Sequence, residues 1–213
     1  MTASQDNQPA TTADSPHRQE SAPTPAGNPL LDVAYIAVFA ALIIALAFVA
    51  IPVGAAGVPI VLQNAAVILA GLILGRTRGF LTALLFLGLG LIGLPVLAGG
   101  KTTLAALGGP TIGYLVGYLV SATVAGSIAY LAPRGNRKAL TIYLALGAIA
   151  ALACQYLCGS VGMMFRADMS FGQALAVNVP FLIPDLIKAA CAVAIASGVH
   201  LSLPDIRRKA FLK

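Results

Sequence analysis

Apolar segments recur along the chain and are separated by glycine, proline or charged residues. They cover residues 32–51, 60–75, 80–97, 110–131, 140–162 and 173–203. Segments of this kind are typical of helices that cross a bilayer, whose hydrocarbon core needs about 20 apolar residues. The second segment is short for a full span and is predicted to be tilted or joined to a loop at membrane depth. The pattern predicts an all-α bundle of six transmembrane helices.

The composition places this bundle in a membrane. Hydrophobic residues make up 59% of the 213 positions, charged residues make up 9%, and the mean hydropathy is +0.91. Soluble domains carry about 25% charged residues, so the chain is predicted to be an integral membrane protein. Its length leaves room for one bundle, and residues 30–213 are expected to form a single membrane-embedded domain.

Residues 1–29 differ from the rest of the chain. They are rich in Ser, Thr, Pro, Ala, Gln and Asn and show no periodic apolar positions. Such a segment cannot bury enough apolar surface to fold, so it is predicted to be a disordered tail. It does not have the form of a signal peptide, because it is long and mixes Asp14, Arg18 and Glu20.

The basic residues predict the orientation of the bundle. The net charge is +6, and the bases lie beside apolar segments, which indicates orientation in a bilayer and not binding to nucleic acid. With a cytoplasmic tail, one side holds Arg18, Arg76, Arg78, Arg134, Arg137, Lys138, Arg207, Arg208, Lys209 and Lys213. The other side holds only Lys101 and Arg166. Because cytoplasmic loops carry the excess of Lys and Arg, both termini are predicted to be cytoplasmic.

The last apolar segment contains two charged residues, Asp185 and Lys188. A charge in the hydrocarbon costs about 2.5–3.5 kcal/mol, so an intramembrane ionisable pair indicates a functional site. Pro184 suits the first position of a helix, which would place both charges on one face of its first turns. Given the predicted orientation, this site faces outward. In the alternative interpretation, Asp185 favours the helix dipole and Lys188 reaches the lipid headgroups.

Two glycine-rich outer loops, residues 51–60 and 93–114, are predicted to cover a pocket, since glycine permits close backbone approach and the loops have low polarity. Four polar side chains would come near Asp185, namely Gln63, Asn64, Thr111 and Tyr114. For each of them, helix capping or hydrogen bonding between helices is an equally good explanation.

The first helix carries alanine at positions 37, 41 and 45. Small residues at four-residue spacing allow another helix to approach closely. The ridge of Ala37, Ala41 and Ala45 is therefore either a seam inside the bundle or a docking face for a partner.

Catalytic motifs are not found. Gly99-Gly100-Lys101-Thr102 fails as a phosphate-binding loop because Pro95 stands where that motif requires glycine, so the chain is not expected to hydrolyse ATP. Neither a Gly-x-Ser-x-Gly elbow nor a His-Glu-x-x-His motif occurs, and we expect no enzyme activity and no cofactor. The three cysteines are assigned to packing and not to metal binding, and His17 and His200 are interpreted as incidental.

Several motifs in the same order resemble the BioY family, the biotin-binding substrate-capture (S) components of energy-coupling factor transporters. They are Val58 to Gln63, Gly71 to Gly75 with Arg76 and Gly79, Leu91 to Val96, Ala98 to Gly100, Gly109 to Tyr114, and Pro180 to Lys188. The resemblance covers residues 30–203. It implies six helices, capture of biotin from outside, and a transporter completed by a transmembrane coupling subunit and a pair of cytoplasmic ATPases in the cell membrane. The alanine ridge resembles the face with which S components meet the coupling subunit.

Biotin suits the candidate residues chemically, and the resemblance adds Gly99 and Gly100 to them. Asp185 can accept hydrogen bonds from the ureido N–H groups, and Lys188 can bind the ureido carbonyl or the carboxylate. Gln63 can serve either polarity, and Tyr114 can cover the ring. The competing interpretations are an S component for another vitamin, a membrane scaffold without a ligand, and a homo-oligomer that moves biotin alone.

Overall fold

The computed structural model describes residues 29–51 and 60–207. Within them the chain is almost wholly helical, with one antiparallel pair of short strands, β1 (Ala50–Ile51) and β2 (Ile60–Val61). The α-helices are α1 (Pro29–Ala47), α2 (Gln63–Leu74), α3 (Arg76–Leu91), α4 (Thr103–Leu107), α5 (Ile112–Ala129), α6 (Arg137–Arg166), α7 (Phe171–Ala176) and α8 (Val179–Ser202). Two 3₁₀ helices, Ala98–Gly100 and Pro204–Arg207, complete the described elements. The predicted tail before Pro29, most of the first outer loop, and the basic residues after Arg207 lie outside the described residues.

Each of the six predicted apolar segments overlaps one of the helices α1, α2, α3, α5, α6 and α8, whereas α4, α7 and the strand pair were not predicted. By length and composition, α1, α5, α6 and α8 could each cross a membrane. Helix α3 carries Arg76 and Arg78 in its first turn, and α2 is only 12 residues long. The all-α membrane class is therefore confirmed, while the count of six spans stays a prediction.

Helix α2 lies at the centre of the bundle. Ten of its residues are buried, and it packs against α1, α3, α5, α6 and α8. At about 1.5 Å per residue it is about 18 Å long, less than the hydrocarbon thickness of about 30 Å. Its apolar sequence is explained by burial on all sides within the protein.

Helices α5 and α6 form the most extensive helix contact in the described part of the chain. A side chain at Gly113 would meet the backbone carbonyl of Cys158, and one at Gly162 would meet the backbone of Gly113. Small residues on both helices thus let the two backbones approach, as is usual between helices in membranes. This contact brings the first turns of α5 close to α6.

The outer surface of the bundle is apolar. Phe165 is 79% exposed and Ile183 is 71% exposed, along with many other large hydrophobic side chains. Such a surface is suited to contact with lipid acyl chains. Among the cysteines, Cys154 and Cys158 are partly buried, as expected for packing, but Cys191 is exposed.

The predicted start of the last helix at Pro184 is wrong. Helix α8 begins at Val179, with Pro180 in its first turn and Pro184 in its interior. Pro180 fills the role assigned to Pro184, because a proline in the first turn removes an N–H that has no acceptor in the helix. An interior proline is tolerated here in a membrane helix, where neighbouring groups satisfy the freed backbone. Asp185 consequently lies about 9 Å along the axis from the helix start.

A buried arginine lies at the end of the bundle where α2 ends and α3 begins. Arg78 is 1% exposed, and its guanidinium donates to Asp32 Oδ1 (3.2 Å), Leu74 O (2.8 Å), Tyr130 Oη (3.2 Å) and Ile206 O (2.8 Å). Arg78 therefore holds α1, the end of α5 and the C-terminal segment together.

His200 is also buried at that end. Its Nε2 lies 2.9 Å from Leu72 O, and because a carbonyl oxygen only accepts, this nitrogen donates. The interpretation of His200 as a residue without a partner is wrong, since the side chain links α8 to α2.

Candidate functional site

A cavity of about 320 Å³ lies at the end of the bundle opposite Arg78. It lies between the starts of α2 and α5, the second half of α6 and the first half of α8. Its walls are formed by Val61, Gln63, Asn64, Ala98, Thr111, Tyr114, Tyr118, Gln155, Tyr156, Met163, Val177, Asn178, Phe181, Asp185 and Lys188. The cavity thus combines one ion pair, several neutral polar groups and an apolar wall.

Asp185 and Lys188 form an ion pair inside this cavity. Lys188 Nζ lies 2.5 Å from Asp185 Oδ1, and the two side chains are 11% and 6% exposed. The hydroxyl of Tyr156 donates to the other carboxylate oxygen, Oδ2, at 2.6 Å. Both carboxylate oxygens therefore have a donor, and the charge is compensated within the bundle.

Lys188 makes two further hydrogen bonds. Its ammonium group donates to Val61 O at 2.8 Å and to Asn64 Oδ1 at 2.9 Å. These bonds hold the start of α2 to α8. The alternative in which Lys188 reaches the lipid headgroups is therefore wrong, because the side chain points into the bundle.

A second chain of hydrogen bonds runs along the cavity. The Tyr114 hydroxyl donates to Asn178 Oδ1 at 2.6 Å, and Asn178 Nδ2 donates to Ser160 Oγ at 3.0 Å and Ala174 O at 3.2 Å. The Tyr114 ring lies against Gly159, where a side chain would overlap it. Glycine at position 159 is what lets this ring pack flat on α6.

Two buried glutamines complete the polar lining. Gln63 donates from Nε2 to Val96 O at 2.7 Å, and Gln155 donates to Ser121 Oγ at 3.0 Å and Asn64 O at 3.3 Å. Each side-chain amide is therefore oriented by the protein before any ligand binds. A cavity with fixed donors and acceptors can discriminate between ligands by their hydrogen-bonding pattern.

The structure brings together six of the residues selected from sequence, which all line the cavity: Gln63, Asn64, Thr111, Tyr114, Asp185 and Lys188. Gly99 and Gly100 do not line it. They lie in the 3₁₀ helix just after Ala98, exposed and with φ of +74° and +72°. Those angles favour glycine, so both residues determine the conformation of the loop that places Ala98 in the cavity wall.

Sequence reasoning missed four polar residues of the lining: Tyr118, Gln155, Tyr156 and Asn178. A signal existed for Gln155, because a polar side chain in the middle of a long apolar helix faces the protein interior. Tyr118 and Tyr156 carried no such signal, since tyrosine is common on any membrane helix.

The alanine ridge faces away from the bundle. Ala37, Ala41 and Ala45 are all exposed, whereas Ile36, Ala40 and Ile43 form the buried face of α1. The interpretation of the ridge as a seam within the bundle is wrong. The docking interpretation stays a prediction.

An apolar helical bundle with a preformed polar cavity at one end defines a membrane protein that captures a small molecule. In agreement with this class, the BioY family profile matches residues 17–205. The chain is 42% identical over 168 residues to the biotin transporter BioY of Rhodobacter capsulatus, covering 74% of this chain and 86% of that protein. It is 34% identical to the biotin transporter BioY of Rhizobium etli, covering 84% of this chain and 98% of that protein.

A solved structure agrees with these relatives. The crystal structure of the S-component for biotin from an ECF-type ABC transporter superposes with a TM-score of 0.70 at 31% identity, covering 81% of this chain and 92% of that one. The chain belongs to the BioY family.

Proposed function

We propose that this chain is the substrate-capture subunit of a biotin uptake transporter. The observation that carries the proposal is the buried Asp185–Lys188 pair in a cavity of about 320 Å³. The membership in the BioY family, whose relatives are named biotin transporters, supports it. These relatives also make it a transport protein and not an enzyme, with biotin as its transported ligand and no cofactor.

The cavity suits biotin in size and in polarity. Pockets for small molecules begin at about 300 Å³ and are mostly apolar with a few oriented polar groups. Asp185 accepts from the ureido N–H groups, and Lys188 neutralises the carboxylate or binds the ureido carbonyl. Gln63, Asn64 and Thr111 offer further polar contacts, Tyr114 covers the rings, and the loop of Gly99 and Gly100 closes over the ligand.

The same proposal gives the chain its place in a membrane. We infer six transmembrane spans in a bacterial plasma membrane, with both termini in the cytoplasm. The clustering of Arg134, Arg137 and Arg207 at the end opposite the cavity supports this orientation. In that arrangement the cavity faces outward.

The partners follow from the same reasoning. A transmembrane coupling subunit docks on the exposed ridge of Ala37, Ala41 and Ala45, and a pair of cytoplasmic ATPases supplies the energy that this chain does not generate. The match to an S-component of an ECF-type ABC transporter supports such an assembly.

Binding of radiolabelled biotin to the purified chain in detergent tests the proposal. We expect saturable binding that unlabelled biotin displaces and that riboflavin and thiamine do not. Displacement by riboflavin or thiamine would assign the chain to a different vitamin. The absence of binding to a protein that is folded by circular dichroism would leave a membrane scaffold as the function.

A further inference from the structure

A second cavity, of about 360 Å³, lies at the end of the bundle that carries the buried Arg78. Three arginines contribute to its walls, Arg134, Arg137 and Arg207, and no acidic side chain belongs to the part of the lining that the structure describes. The remaining walls come from Pro133, Gly135, Asn136, Leu140, His200, Leu201 and Pro204. The cavity therefore combines three cationic side chains with several apolar ones.

The guanidinium of Arg207 is held in place. It lies over the ring of Tyr130, with 5.3 Å between the guanidinium carbon and the ring centroid, and one of its nitrogens donates to Ala132 O at 2.8 Å and Tyr130 O at 3.2 Å. Burial lowers the pKa of Arg207. The nearby Tyr130 raises this pKa, and the positive charge of Arg134 lowers it. The unfavourable approach of two cations would be relieved by an anion between them.

Helix α6 adds a further positive contribution. It begins at Arg137 in the cavity wall, after the N-cap Asn136, and it continues for 30 residues. The first N–H groups of a helix have no acceptor within it and favour an anion at that end, and here one of them, that of Ala139, donates to Asn136 Oδ1. Arg134 and Arg137 are exposed at the surface, so both are free to close on a ligand.

The position of the cavity relative to the bilayer indicates the source of the anion. It lies where α6 begins and where α8 ends, and Leu201 in its wall is 47% exposed, as a lipid-facing side chain would be. Basic pockets between membrane helices bind anionic lipid headgroups, and arginine binds phosphate through paired N–H donors. We propose that this cavity binds the phosphate group of an anionic phospholipid, with the apolar wall against the glycerol and the first acyl carbons.

Native mass spectrometry of the full purified chain tests this proposal. Phosphatidylglycerol and phosphatidylcholine with identical acyl chains are added in turn, and the bound fraction is measured for the wild type and for the double variant Arg134→Gln, Arg137→Gln. We expect selective retention of phosphatidylglycerol by the wild type and a loss of about tenfold in its affinity in the variant. Equal retention of the two lipids by the wild type would overturn the proposal.

A matched control variant removes two positive charges outside the cavity. Lys138 and Arg166 are exposed and lie outside the cavity lining, so the variant Lys138→Gln, Arg166→Gln is expected to keep the wild-type affinity. An equal loss in this control would mean general charge attraction and would overturn the site. In a further arm, inorganic phosphate is titrated alone. If inorganic phosphate bound and phosphatidylglycerol did not, the anion site would be supported and its lipid source would be overturned.

The inference does not depend on the biotin site. Biotin binding is measured on the same variants and is expected to be unchanged, because Arg134 and Arg137 lie at the opposite end of the bundle from Asp185. A variant that loses lipid selectivity but binds biotin is therefore distinguishable from one that keeps lipid selectivity but loses biotin binding.

Discussion

At the scale of single residues, the charged groups of the cavity are already paired with other protein groups. Lys188 donates to Asp185, Val61 and Asn64, and an ammonium group has three N–H donors in all. Asp185 accepts from Lys188 and Tyr156. A ligand must therefore replace hydrogen bonds that already exist, and only a molecule with suitably placed donors and acceptors can do so without leaving a buried group unpaired.

The first prediction concerns the charge of Asp185. In Asp185→Asn, Lys188 keeps its charge without an anionic partner, and the ureido N–H groups of biotin lose an anionic acceptor. We expect the Kd for biotin, measured by titration calorimetry, to rise at least tenfold, or about 1.4 kcal/mol. Asp168→Asn makes the same chemical change at an exposed position and is expected to have no effect. Unchanged calorimetry for Asp185→Asn would remove Asp185 from the site.

The second prediction concerns the hydroxyl of Tyr156, which sequence reasoning did not select. Tyr156→Phe keeps the ring and removes the donor at 2.6 Å from Asp185 Oδ2. A hydrogen bond to a charged group contributes about 1.5 kcal/mol or more, so we expect biotin to bind roughly tenfold more weakly. Tyr143→Phe, on the same helix and away from the cavity, serves as the control. Equal affinities for the two variants would show that the hydroxyl does not position Asp185 for binding.

The site residues differ in how visible they were in the sequence. Asp185 and Lys188 could be found because charge is costly in an apolar segment, and Gln63 and Asn64 because they are polar and lie close to a glycine-rich loop. The roles of Tyr156 and Asn178 depend on which helix faces which, and no spacing within one helix carries that information. The backbone angles of Gly99 and Gly100 are likewise a property of the folded loop.

At the scale of elements, the close contact of α5 with α6 sets the width of the cavity. Gly113 and Gly162 meet at the contact, and Tyr114 follows Gly113 directly along the chain. Any increase in the distance between the two helices would move Tyr114 relative to Tyr156. The packing of two glycines thus positions two of the tyrosines that line the site.

The third prediction tests this contact. A methyl group at position 162 would overlap the backbone of Gly113, so Gly162→Ala is expected to lower stability by about 1–3 kcal/mol. The measurement is the apparent Tm in detergent, with biotin binding as a second readout. Gly88→Ala is the control, because nothing lies within 4 Å of its added carbon and alanine favours a helix. A Tm for Gly162→Ala equal to or above that of Gly88→Ala would contradict the role of this contact.

The helices could be predicted from sequence only where a long apolar segment determines the structure. The long helices follow from the apolar segments, whereas α7 has only six residues and begins with the capping box of Ser170 and Gln173. The start of α8 was misplaced because two prolines, Pro180 and Pro184, both suit a first turn. Asn178, directly before Val179, is held by Tyr114 and Ser160, and the sequence of α8 alone does not contain those contacts.

At the scale of the whole molecule, the two ends of the bundle carry different chemistry. Asp185 and His200 lie on the same helix about 22 Å apart, one in the cavity of the ion pair and one at the basic end. The buried residues of α8 between them are Ala189, Ala192 and Ala196, which belong to an apolar core cluster. Transfer of a ligand through this core would require a rearrangement. That requirement is a physical reason for the partner subunits proposed above.

The last prediction follows from this need for partners. The ridge of Ala37, Ala41 and Ala45 is exposed, and a leucine at its centre would keep a coupling helix at a distance without disturbing the buried face of α1. We expect Ala41→Leu to bind biotin with unchanged affinity in detergent and to lose most biotin uptake in cells that contain the coupling subunit and the ATPases. Ala190→Leu, the same change at an exposed position of α8, should retain uptake. If Ala41→Leu retained uptake as well, the ridge would be a lipid-facing surface. If it lost biotin binding, α1 would belong to the ligand site and not to the interface.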